Sequence, residues 1–458
     1  MPPRLTRIDW PDHGTPAVPA PPTLADYRAR LIALRAAGVA REYQALVIYG
    51  DREHAANLQW LTGFDPRFEE AVLVVTPSDA LLIAGNECLP YTAIAPMVAA
   101  GEVRVAHCAS LSLPSQPRGS ARLSDILAGV LPKGTLGAVG WKWFGADEVD
   151  DPATALDIPA FLADPLRRIA TRVENATDLL MHPGHGLRAR VDAAEIARLE
   201  FANHMAASAL RRMVFSLREG MTDFAAYQAA QVGGLPLGCH STFATGARAD
   251  QGLSGPTGQV LTLGQPIGFN VCHWGANICR TGWLARTADD LSLPARDYLD
   301  AFAFPYLQAM SDWCGLMRPG VPGGQVWARM REKLPLATFN VTLNPGHLIG
   351  LDEWMSSPIA EGSDIPLASG MAMQCDVIPS HPVYASTRME DGYVLADQAL
   401  RAALSTDFPE VAARCAARAT FMRDVIGLDV PDSLLPLADT CGIIAPLLLD
   451  AQLVITRR

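Results

Sequence analysis

Four short segments concentrate side chains able to move protons, hold a cation or orient a small molecule. They are 267–281 (IGFNVCHWGANICRT), 344–354 (NPGHLIGLDEW), 370–376 (GMAMQCD) and 388–391 (RMED). An imidazole near carboxylates can exchange protons at neutral pH or ligate a divalent ion, whereas an amide offers hydrogen bonds without charge. The common short signatures are missing: the sequence contains no HExxH, no Walker loop, no GxSxG elbow and no GxGxxG turn. Two other groupings read as bland. Cys272 and Cys279 flank His273, where inert, buried thiols on a hairpin are expected over a Cys/His nucleophile. His182 and His185 stand in MHPGHG among chain breakers and read as solvent-facing loop histidines.

The elements that must position these segments follow from periodicity. Thr23 and Asp26 make a helix start, with Tyr27, Leu31 and Leu34 on one face. Short apolar runs at 45–49, 71–75 and 80–84 each end in turn residues and predict buried strands, with further strands at 103–106 and 136–139. The breaker cluster at 181–186 marks a boundary. A long helix then starts at Asp192 and Glu195, carries Ile196, Leu199, Ala206, Leu210, Met213 and Leu217 at helical spacing, and stops at Gly220. A helix from Thr222, strand-like segments to about 285, a helix near 295–318, a loop–strand block over 338–397 and a tail that is helical up to 426 complete the reading.

Composition excludes several classes. The chain has 458 residues, enough for two or three domains, with 49% hydrophobic and 19% charged residues and a net charge of -11. No Lys/Arg block suggests a phosphate-reading surface, so no nucleic-acid partner is expected. No run is long and apolar enough for a membrane span, and the Pro-rich start lacks the apolar core of a signal peptide. Nine scattered cysteines without a CxxC read as reduced thiols, which predicts a cytoplasmic protein.

In order and approximate spacing, the four segments resemble the signature blocks of the creatinase, prolidase and aminopeptidase P family. Those blocks are an Asp on each strand of a hairpin, with Arg-Thr after the second. A Gly-His-x-x-Gly-Leu loop, a Gly-Met-x-x-x-x-Glu strand and a closing Arg-x-Glu-Asp follow. Arg188 and Glu195, the GMT turn at 220–222, FATG at 243–246 and NLQWLTG at 57–63 extend the resemblance over about 24–397. It implies an α/β (α+β) chain in four parts: an arm over 1–22, a smaller N-terminal α/β domain over 23–178, a pita-bread domain over 179–397 and a mostly helical extension over 398–458. It also implies a homodimer, hydrolysis of a C–N bond and a site for two metal ions.

Residue by residue, the resemblance is uneven. The two hairpin Asp positions fall on Asn270 and Asn277, the loop His on His347, the first Glu on Asp376 and the second on Glu390. The family's second His falls on Trp354, and a creatinase-type general-base His falls at or near Leu253. The hairpin is shorter than the family's by an even number of residues, so both Asn keep the face of the Asp they replace. Two carboxylates, two amides and one imidazole carry a formal charge of -2, which balances one divalent cation at most. The expected activity is therefore hydrolysis of a C–N bond in a small polar or dipeptide-like molecule, with His347, Asp376 and Glu390 as the catalytic groups and no cofactor. Asn270, Asn277, Trp354 and His240 are expected to contact substrate. Arg67 and Phe68 sit where the family's N-terminal domain reaches a partner subunit's site, with simple surface solvation as the alternative. Two rivals stay open: an Xaa-Pro-type metallopeptidase with one Mn, Zn or Fe on His347, Asp376 and Glu390, and a non-catalytic ligand-binding protein.

Overall fold

A computed structural model describes residues 2–249 and 253–458. Its contacts divide the chain into two compact units, one of residues 21–189 and one of residues 1–20 with 190–458.

The 21–189 unit is built on a six-stranded mixed sheet. Its order is Arg104–His107, Ala80–Ala84, Ala71–Val75, Ala45–Gly50, Thr135–Val139 and Arg172–Asn175. Ala45–Gly50 pairs antiparallel with Ala71–Val75 and parallel with Thr135–Val139. Strands Ala45–Gly50, Ala71–Val75 and Ala80–Ala84 are buried at every position, which is why they read as continuous apolar runs without alternation. Helix Leu24–Ala40 starts at the Thr23–Asp26 capping box and buries Tyr27, Leu31 and Leu34, as its spacing predicts. The edge strand Arg172–Asn175 has no sequence signal of its own because only Val173 is buried. The unit ends later than the expected boundary at 178. Past helix Asp178–Met181 the chain folds back, with Leu187 N donating to Leu179 O and Arg188 N to Leu180 O, both at 2.9 Å.

The larger unit carries helix Ala193–Ser216, opened by the Asp192–Glu195 capping box and packed on both strands of a long hairpin, Pro266–His273 and Ala276–Trp283. Gly275 turns the hairpin at φ +85; a Cβ there would lie 2.6 Å from the Leu199 side chain, so the turn needs glycine twice over. Two four-stranded sheets flank the candidate site. One runs Arg388–Glu390, Ala276–Trp283, Pro266–His273, Phe243–Thr245; the other runs His347–Leu348, Ala372–Gln374, Gly392–Leu395, Leu434–Pro436. The segment after 397 forms helices Gln398–Asp407 and Pro409–Phe421. It then supplies two strands, Leu434–Pro436 to the second sheet and Leu453–Thr456 to the N-terminal arm. The arm is correspondingly more than an extended lead: Arg4–Arg7 pairs antiparallel with Leu453–Thr456, and Trp10 is buried with its Nε1 donating to Ala451 O at 2.8 Å. No helix of the described residues is long and apolar enough to cross a membrane.

Candidate active site

The hairpin register sets the first two side chains. Asn277 lies opposite Cys272 and Asn270 opposite Cys279, so the two amides are diagonal neighbours on one face, as strand alternation requires. Asn270 Nδ2 donates to Asn277 Oδ1 at 3.2 Å, while Asn270 Oδ1 accepts from Thr242 N at 2.8 Å. Strand Arg388–Glu390 pairs beside the hairpin, with Glu390 opposite Cys279, which puts its carboxylate beside Asn277. Asn277 Nδ2 donates to Glu390 Oε1 at 2.9 Å and to Glu353 Oε1 at 3.0 Å. Gln374 Nε2 donates to the Asn277 backbone carbonyl and ties the second sheet to the hairpin.

His347 enters from the second sheet, opposite Gln374. Gly346 before it adopts φ +115, and a Cβ there would lie 2.9 Å from Gln374 O. The imidazole is fully buried and stacks on Trp354, with ring centroids 4.1 Å apart and 21° between planes. Its Nδ1 lies 3.2 Å from Leu348 O, and since a carbonyl only accepts, Nδ1 carries the proton. Nε2 then presents its lone pair to the cluster. It has no hydrogen-bond partner among the described residues, with Glu353 Oε1 at 3.7 Å and Asp376 Oδ2 at 4.0 Å. Asp376 Oδ1 and Arg388 Nε are likewise buried without partners among the described residues.

Burial governs the electrostatics. It pushes the Glu390 carboxyl well above the ordinary carboxylate range, and the neighbouring Asp376 charge pushes the same way against the pull of Arg388. Burial raises Glu353 too, opposed by His347. For Arg388 burial acts to lower the guanidinium, but Cys279, Glu390 and Asp376 outweigh it and hold the charge. Arg280 binds Asp391 through Nη2 at 3.0 and 2.8 Å and reaches four backbone carbonyls. It braces the hairpin against the closing segment rather than entering the cluster.

The structure thus gathers His347, Asp376, Glu390, Asn270, Asn277 and Trp354, and adds Glu353, to which the sequence reading gave no role. Glu353 precedes Trp354 in a loop, where no period tells which way a side chain points. At 23% side-chain exposure it is the most open carboxylate of the set and marks the mouth of the cluster. His240 lies apart from the hydrogen bonds that tie the cluster together: it is exposed, with Nε2 at 2.9 Å from Leu253 O. Leu253 itself is 75% exposed. Arg67 and Phe68 belong to the 21–189 unit. There Arg67 adopts φ 59, donates to Tyr91 Oη at 2.9 Å and pairs with Asp65, and Phe68 is half exposed.

The donor set can be tested against metal ions. His347, Glu353 and Glu390 each offer a ligand atom, all within 4.8 Å of one another, so one cation fits there. This grouping holds Glu353 where the expected trio had Asp376, which lies 4.0 Å from His347 Nε2. A bridged pair does not fit. Asn270 and Asn277 bring amides without charge, the hydrogens of Asn277 Nδ2 already point at both glutamates, and Arg388 brings a fixed positive charge, so the set lacks the negative charge two ions would need.

The architecture and the cluster at the meeting of its two sheets define the pita-bread fold. Among solved structures, prolidase from Pyrococcus furiosus matches with a TM-score of 0.60 and 14% identity over 79% of this chain and 96% of that one. Dipeptidase PepE from Mycobacterium ulcerans matches with 0.59 and 20% over 82% and 95%. Escherichia coli aminopeptidase P matches with 0.58 and 15% over 86% and 100%. No protein-family model and no curated protein matches the sequence.

Proposed function

We propose that this chain is a hydrolase of a C–N bond in a small polar or dipeptide-like molecule, with His347 as its proton-transfer group and without a bridged metal pair. The observation that carries this reading is the buried, unpartnered Nε2 of His347, facing Glu353 and Asp376 inside a set of carboxylates and amides. The structural neighbours named prolidase, dipeptidase and aminopeptidase support the bond class. In this reading Nε2 takes a proton from a water attacking the substrate carbon, and Glu353 and Asp376 stabilise the imidazolium that forms. The same proton returns to the leaving nitrogen as the C–N bond breaks. Asp376 Oδ1 and Arg388 Nε, both without partners among the described residues, supply one acceptor and one cationic donor for a zwitterionic substrate.

A second reading rests on the His347, Glu353 and Glu390 grouping. One Mn, Zn or Fe held there would polarise a substrate carbonyl, as in an Xaa-Pro-type metallopeptidase. We also propose a homodimer in a reducing compartment, which nine free thiols fit; light scattering checks the stoichiometry.

The test is turnover on a panel of guanidino, betaine and Xaa-Pro compounds, with metal content measured on protein purified without chelator. His347→Ala is expected to lower kcat by about 10²–10⁴-fold on whichever compound turns over. Unchanged turnover overturns the assignment, stoichiometric metal favours the second reading, and a tight ligand without turnover points to a binding protein.

A further inference from the structure

The loop between Pro236 and Thr242 runs antiparallel to the strand that carries Asn270. It is tied at both ends: Trp274 N donates to Pro236 O at 3.1 Å, and Asn270 N donates to Thr242 O at 3.3 Å. Between these ties the Cys239 and Cys272 thiols lie in hydrogen-bond contact. Gly238 allows the approach, because a Cβ there would lie 2.9 Å from both Cys272 Sγ and His273 O. Eight of the nine cysteines are buried and only Cys239 is part-exposed, so an oxidant meets Cys239 first. Cys239 Sγ also accepts from Asn270 Nδ2 at 3.4 Å, one contact away from the carboxylate cluster.

We propose that Cys239 and Cys272 are a redox modification site, a reversible disulfide that staples the 236–242 loop onto the Asn270 strand. With hydrogen peroxide as oxidant, the Cys239 sulfur attacks one peroxide oxygen, the O–O bond breaks and one water leaves, giving a sulfenic acid. The Cys272 sulfur then attacks Cys239, the S–S bond forms, the S–O bond breaks and a second water leaves. The two thiols lose two electrons and two protons, and the peroxide is reduced to two waters. A dithiol reverses the link by exchange.

The experiment is peroxide titration of the reduced full-length protein, followed by peptide mapping under non-reducing conditions. The expected result is a cross-link between the Cys239 and Cys272 peptides that forms before any other thiol reacts and disappears with dithiothreitol. In Cys272→Ser, Cys239 should instead progress to sulfinic acid, and in Cys239→Ser no early cross-link should form. Sulfinic acid at Cys239 of the unaltered protein with Cys272 unmodified, or an earlier link between any other pair, overturns the proposal. The decisive mapping uses the unaltered chain and needs no substrate, so its outcome is independent of the hydrolase reading.

Discussion

At the scale of single residues, the chemistry turns on Asn277. Its Nδ2 gives one hydrogen to part-buried Glu353 and one to buried Glu390, joining two acceptors that would otherwise repel each other across the cluster. Asn277→Ala leaves both carboxylates without that donor, at an expected cost of about 1–3 kcal/mol, measurable by urea unfolding; stability within experimental error of the parent would show that the amide does not hold them. His347, Asp376, Glu390 and the two amides were legible because their segments resemble a family's signature blocks in order and spacing, and for the two amides hairpin alternation also fixes the face. Glu353 was not, and its absence made the expected charge one carboxylate short. With it the set has three carboxylates against the Arg388 guanidinium, a formal -2 once more, though by a different balance than the sequence suggested.

At the scale of elements, what holds the larger unit together is pairing between distant strands. Trp10 anchors the arm: it is 4% exposed, donates to Ala451 O, and meets Phe215 edge-on with ring centroids 5.3 Å apart. Trp10→Ala is expected to destabilise this unit by roughly 3–5 kcal/mol, read as a lower denaturation midpoint, and a shift under 1 kcal/mol (about the scale of a surface change) would mean that the arm is not packed as described. The apolar runs at 45–49, 71–75 and 80–84 declared themselves in the sequence because both of their faces are covered. Strands such as His347–Leu348 are too short to show a period. That Arg4–Arg7 would pair with Leu453–Thr456 is a long-range fact that no local pattern carries.

At the scale of the molecule, three histidines, two of them buried and His182 part-buried, make stability depend on pH. Burial lowers the pKa of His182, His204 and His273. Below about pH 6.5, the ordinary histidine value, the unfolded chain takes up protons that the folded chain refuses, so this contribution to stability falls as pH drops. His204 packs in the larger unit near Asp439, Arg418, Glu200 and Arg414, whose mixed charges partly offset one another. His204→Gln is expected to flatten the fall in melting temperature between roughly pH 6.5 and 5 while leaving values near pH 8 little changed. An unaltered slope in thermal melts across that range would remove His204 from the account.

The pairing of Arg4–Arg7 with Leu453–Thr456 has a consequence for synthesis. The 21–189 stretch is continuous and completes its sheet with Asn175, so it can assemble as soon as it leaves the ribosome. The arm emerges before it, yet its partner strand is made 450 residues later. At roughly 5–20 residues per second, the arm spends on the order of half a minute or more as an unpaired edge, guarded against stray strand addition chiefly by the charges of Arg4 and Arg7.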